Sequence, residues 1–135
     1  MRKGKLLALL TVVIGATVLA FAAAADASTA VGNTGCTIAA TKPAGSPQKV
    51  GVGTLRCGWA HHNVRMEVCA QQLVTGGWEN VPGTCLVSPV SPGGAYNFVT
   101  FSGHFTAVPG RYYRTWAWGY VNGPTGISLS NGVKF

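Results

Sequence analysis

Beyond residue 27 the chain has no aspartate, and its only acids are Glu67 and Glu79. A Ser-His-Asp triad needs a carboxylate to orient its imidazole, so that arrangement lacks its Asp. A two-carboxylate hydrolase would have to use Glu67 and Glu79; Glu67 stands two residues from Arg65 in an extended segment, where a surface ion pair accounts for it. There is no close cysteine pair of the C-x2-C kind that marks a zinc site. His61 and His62 are adjacent on a turn and, with His104, read as solvated side chains rather than metal ligands. No glycine-rich loop precedes a helix, so nucleotide binding has no support. Leu, Glu and Lys are sparse, Gly and Pro recur, and no segment beyond residue 27 sustains a helical period. The chain is therefore expected not to be an enzyme, with no cofactor, no metal site and no catalytic residues.

What is present begins with a basic start, Arg2, Lys3 and Lys5, followed by an apolar run from Leu6 to Ala25 and the small-x-small exit Ala25-Asp26-Ala27. That order predicts a secretory signal peptide over residues 1–27. Thr11, Gly15 and Thr17 interrupt the run, which favours a cleaved signal over an uncleaved anchor. Cleavage after Ala27, with Ala30 as the near alternative, leaves residues 28–135 as a single domain with one core. The expected location is extracellular, with no stable membrane insertion after cleavage.

Lys42, Lys49, Arg56, Arg65, Arg111, Arg114 and Lys134 against two glutamates leave that domain at 7 − 2 = +5, histidines neutral. The charges are scattered, and export argues against a nucleic-acid partner; an anionic cell wall or an acidic protein remains open. Four cysteines, Cys36, Cys57, Cys69 and Cys85, read as two disulfides in an exported chain. Three pairings are possible. Cys36 and Cys57 flank Gly45-Ser46-Pro47 symmetrically, and Cys69 and Cys85 flank Gly77. Closing each turn into a hairpin opposes the members of each pair, which favours Cys36–Cys57 and Cys69–Cys85.

Seven β-rich segments separated by turn residues follow: 36–41, 49–59, 63–74, 78–87, 96–108, 111–121 and 126–135. Val50 and Val52 differ in parity from Leu55 and Cys57, a switch that predicts a bulge at Gly53. Val64, Met66, Val68 and Ala70 share one face of the third segment. Ser88 to Gly94 is a loop by composition, and Asn131-Gly132 is a further turn or bulge. The expected fold is an all-β, seven-stranded antiparallel sandwich of two sheets.

The early Cys36 strand, the loop rich in Pro and Gly, the second strand ending at Cys57, and Pro109-Gly110-Arg111-Tyr112-Tyr113-Arg114-Thr115 give a pattern that resembles the small exported Ig-like sandwich proteins of actinomycetes. The resemblance spans most of residues 34–128 and implies architecture alone, since the sixth strand lacks the cysteine of immunoglobulin domains. It also implies a tyrosine corner at Gly110-x-Tyr112, with Tyr112 in a structural role.

Five aromatics crowd residues 111–120, RYYRTWAWGY. Tyr112, Arg114, Trp116, Trp118 and Tyr120 share one parity, and Tyr113, Thr115, Ala117, Gly119 and Val121 the other. Burying the first set would bury Arg114, and an unpaired guanidinium in a core costs several kcal/mol. The small-residue set is therefore expected inward, with Arg114, Trp116, Trp118 and Tyr120 as the binding residues. Exposed Trp, Tyr and Arg are the residue types that dominate interfaces. The expectation is a secreted, basic binding module that docks to a secreted or cell-surface protein, as inhibitor or as assembly subunit, for example of an antibacterial toxin complex. A glycan- or cell-wall-binding module is the alternative, and a small hydrolase the third reading.

Overall fold

The computed structural model describes residues 28–88 and 95–135. The signal-peptide reading of residues 1–27 and most of the Ser88–Gly94 loop lie outside the described residues. Among the described residues there is no helix. Ten strands form: β1 (Thr29–Ala30), β2 (Cys36–Ala44), β3 (Val50–His61), β4 (Val64–Val74), β5 (Gly77–Asn80), β6 (Leu86–Val87), β7 (Ala95–Phe101), β8 (Tyr112–Val121), β9 (Thr125–Leu129) and β10 (Val133–Lys134).

They make two antiparallel sheets. One runs β1-β2-β3-β7. In the other, β8 and β4 are central, with β9 and β10 beside β8 and β5 and β6 beside β4. Ten strands replace the expected seven for local reasons. Val81-Pro82-Gly83 splits the fourth expected strand into β5 and β6, and Asn131-Gly132 splits the seventh into β9 and β10. β1 is additional, pairing Thr29 with Ile38. The fifth strand ends at Phe101 rather than Val108, and only an isolated bridge, Lys49 to Phe105, continues its line.

Where ladders lapse, hydroxyls accept the orphaned amides, which cannot be left buried and unpaired. Ser102 Oγ accepts from Gly51 N (2.8 Å), Thr84 Oγ1 from Ala70 N (3.1 Å), Ser128 Oγ from Ala40 N (3.1 Å) and Ser130 Oγ from Thr115 N (2.8 Å). These four residues are buried polar groups with a structural task.

The core lies between the sheets, around Ile38, Leu55, Val64, Met66, Val68, Ala117 and Val121. A second cluster at one end holds Ala70, Phe105 and Tyr113. No bulge occurs at Gly53: β3 pairs without a break from Val52 to Arg56 on both sides. The parity does not switch, because the inner face carries Gly51, Gly53 and Leu55 while Val52 faces outward. A Cβ on Gly53 would lie 2.6 Å from Val68 Cγ2, so glycine here admits the opposite sheet. The register shifts fall elsewhere, at Thr41/Ala44 and at Arg56/His61.

Both disulfides pair as the turns implied, Cys36–Cys57 and Cys69–Cys85. Cys36 and Cys57 are directly opposed in the β2–β3 ladder. Glu67 opposes Val87 and Val68 opposes Leu86, so Cys69 and Cys85 stand one step further along the same register. Oxidised cysteines fit an extracellular setting.

Candidate functional site

Strand β8 runs through the centre of the second sheet beside β4, and its burial alternates along its length. Tyr113, Thr115, Ala117 and Val121 point into the core and are buried. The tyrosine in a structural role is Tyr113, not Tyr112. The Tyr113 hydroxyl accepts from Val108 N at 2.8 Å, its ring packs against Phe105 and Phe135, and Tyr112 is 44% exposed. Parity explains the correction: Tyr112 belongs to the outward set and cannot serve the core.

Arg114, Trp116, Trp118 and Tyr120 lie together on the outer face, half-buried rather than fully open. At about 3.3 Å per residue they form a strip roughly 20 Å long. Register supplies their neighbours. On β4, Gln71 opposes Arg114, Cys69 opposes Trp116, Glu67 opposes Trp118 and Arg65 opposes Tyr120. On β9, Leu129 opposes Trp116 and Ile127 opposes Trp118. Both aliphatics are open, Ile127 at 48% and Leu129 at 43%, and they extend the apolar surface sideways. Cys69 shares the outer parity but is fully buried, with Trp116 opposite it and Cys85 bonded to it.

Arg114 is held by neutral partners. Its Nε donates to Gln71 Oε1 at 2.8 Å, and its guanidinium carbon sits 4.5 Å from the centre of the Trp78 ring. Gln71 is itself fixed by donating to Asn80 Oδ1 at 2.9 Å. Partial burial pulls the guanidinium below its ordinary value, yet it remains charged throughout the physiological range. At the other end of the strip the Trp118 and Tyr120 rings lie 6.2 Å apart at 31°. With Asn63 and Arg65 they line a shallow open depression. Opposition to outward residues puts Arg65 and Glu67 on this face. Lys134 adds another positive group, above the Tyr112 ring at 5.8 Å.

The sequence reading did not include Trp78, Gln71, Ile127 and Leu129. A signal existed for the last two, because residues 127 and 129 alternate with Gly126 and Ser128 in a short strand. Trp78 and Gln71 meet Arg114 only through pairing between strands.

The other candidates do not assemble. Glu67 opposes Trp118 in the β4–β8 pair and Glu79 opposes Gln72 in the β4–β5 pair. Five residues along β4 separate the two positions by about 17 Å on opposite faces, beyond the spacing of a hydrolytic carboxylate pair. His61 is buried, whereas His62 and His104 are exposed, so the three rings do not share one environment. The two close Cys-containing groups, Cys36/Cys57/His61 and Glu67/Cys69/Cys85, have their sulfurs in disulfides.

Against this geometry, comparison with protein-family models, curated proteins and solved structures finds no match to the chain.

Proposed function

We propose that the protein is a secreted binding module that docks to another secreted or cell-surface protein, as an inhibitor or an assembly subunit, for example of an antibacterial toxin complex. The observation that carries this is the composition of one outer sheet face. Arg114, Trp116, Trp118 and Tyr120 run down its centre, flanked by open Ile127 and Leu129. Tryptophan, tyrosine and arginine concentrate binding energy when a partner desolvates them. The Gln71 and Trp78 contacts restrict Arg114 before any partner arrives, which lowers the entropy lost on docking. Arg65, Arg114 and Lys134 against Glu67 favour a partner surface with an acidic rim.

The strand order supports an Ig-like reading of the sandwich. Lettered along the chain, β2, β3 and β7 take the places A, B and E. The facing sheet takes C (β4), C′ (β5 and β6), F (β8) and G (β9 and β10). The resemblance to small exported actinomycete sandwiches is part of this proposal, and the paired cysteines fit export. The test is affinity capture from culture medium with immobilised wild type and Trp118→Ala in parallel. A specific protein retained by wild type and lost by the folded variant supports the reading; equal retention by both overturns it.

A glycan- or wall-binding role is the second reading, favoured by the depression between Asn63, Arg65, Trp118 and Tyr120. An aromatic floor with amide and guanidinium groups suits a sugar ring. Retention on purified cell wall or insoluble polysaccharide, abolished by Tyr120→Ala and Trp118→Ala, would select it over the protein partner.

A further inference from the structure

We propose that Cys36–Cys57 is a thiol-exchange site: an external thiol attacks Cys57, and His61 receives the departing Cys36 thiolate. The two disulfides are of one chemical kind, but their surroundings differ. A ring nitrogen of His61 and the sulfurs of Cys36 and Cys57 all lie within 4.8 Å of one another. His61 is only 7% exposed, and its Nε2 is buried with no hydrogen-bond partner. Asn122 Nδ2 faces Nδ1 at 3.3 Å. With the Asn122 amide as donor Nδ1 accepts, which is the tautomer that places a ring proton on Nε2. A thiolate formed beside this ring would find a donor that at present bonds to nothing. At the other disulfide, Cys69 Sγ lies 3.8 Å from Glu67 Oε1. A carboxylate there opposes the negative charge that bond cleavage places on sulfur.

Access differs as well. Arg56 pairs with Asn97 and His61 with Ala95, so on the β7 side Cys57, Gly58, Trp59 and Ala60 lie unpaired between two paired positions, while Cys57 stays paired with Cys36 on the β2 side. Bulges interrupt pairing and re-aim side chains. Cys57 is half-buried whereas Cys36 is 2% exposed, so of the two residues Cys57 is the more open to an incoming thiolate. Beside it Trp59 is 58% exposed, lies over Gly35 and tilts against the His61 ring at 5.5 Å. An open indole at the edge of a disulfide is an apolar handle for a thiol-bearing partner.

The chemistry balances with a dithiol as co-reactant. Its first thiolate forms a bond to Cys57 Sγ, the Cys36–Cys57 bond breaks, and the electron pair leaves on Cys36 Sγ, beside the His61 ring, which donates to it. The second thiol, deprotonated, then attacks the mixed disulfide. It releases Cys57 as a thiolate and oxidises the dithiol to its disulfide.

The test is timed reduction of the native oxidised protein with dithiothreitol, trapping by iodoacetamide and peptide mapping. Cys36 and Cys57 are expected to be alkylated about tenfold faster than Cys69 and Cys85. Cysteine, a monothiol, is expected on Cys57 and not on Cys36. His61→Phe should shrink the rate difference to what access and Glu67 leave, and His61→Gln, which keeps a donor, should restore part of it; if His61→Phe fails to fold, opening of Cys36–Cys57 in His61→Gln as fast as in wild type would overturn the role of the imidazole. Simultaneous opening of both bonds, earlier opening of Cys69–Cys85, or a His61→Gln rate equal to that of a folded His61→Phe would overturn the proposal.

Discussion

Ala117 and Trp118 are neighbours in sequence with opposite fates. Ala117 is fully buried beneath Gly53, where a Cβ would already lie 3.1 Å from the Ala117 methyl. Ala117→Arg therefore has to overpack the core and bury a cation, and the domain should lose about 3 kcal/mol or more in a urea melt. Trp116 and Trp118 are half-buried, so truncation to alanine removes part of a packed ring and leaves no closed cavity. Each should cost about 1–2 kcal/mol, below the range for a core tryptophan. If either ring anchors a partner, the same change should weaken binding by about 2 kcal/mol or more, measured by titration calorimetry. A melt showing a larger loss for Trp118→Ala than for Ala117→Arg would return the indoles to the core. Tyr113→Phe tests the structural tyrosine. It leaves Val108 N without its acceptor and should cost about 1–2 kcal/mol, whereas Tyr112→Phe should cost almost nothing.

At the scale of elements, each hairpin has a turn residue suited to it. Asn122 and Gly123 both hold left-handed φ, 51° and 119°, as a two-residue hairpin turn requires, and they return β9 along β8. The loop at Val81-Pro82-Gly83-Thr84 takes up the mismatch between the β5 and β6 registers, and Thr84 caps the Ala70 amide exposed by it. Thr84→Val should therefore act on β4 rather than on the loop. A loss of about 1–3 kcal/mol is expected, with faster amide exchange at Ala70 as the local signature.

For the whole molecule, the disulfides supplement a small core. Each closes a loop within one sheet, Cys36–Cys57 with a sequence separation of 21 and Cys69–Cys85 with 16. Such loops are worth about 3 kcal/mol each by the chain-entropy account, a large share of a small domain's margin. Full reduction should lower the melting temperature by ten degrees or more, roughly 4–8 °C per kcal/mol at this size; an unchanged melt would mean the bonds are incidental. The N-terminus gives another whole-molecule test. Cleavage after Ala27 keeps the β1 pairing of Thr29 with Ile38, and cleavage after Ala30 removes it. On the proposed export, the intact mass of the protein recovered from the medium should correspond to a start at Ser28.

The sequence by itself determined what depends on local period and spacing. Alternation along 111–121 sorted Tyr113 and Ala117 from Arg114 and Trp118, because successive side chains of a strand point to opposite faces. The turn between Cys36 and Cys57 pointed to their pairing, because a hairpin opposes residues equidistant from its centre; the β4–β5 hairpin is centred between Thr75 and Gly76, and only the register shift before β6 brings Cys85 opposite Cys69. Tertiary structure decided what depends on the facing sheet and on neighbouring strands. Gly53 points inward because Val68 and Ala117 approach it from the other sheet, a distance that no local pattern encodes. Arg114 resolved its burial through Gln71 and Trp78, which only the β4 and β5 ladders bring near. His61 reaches Cys36, 25 positions back in the sequence, because the bulge in β3 and the β2–β3 pairing fold it there. Side-chain parity is a one-strand property, whereas partners across strands and sheets are set by register and packing of the whole sandwich.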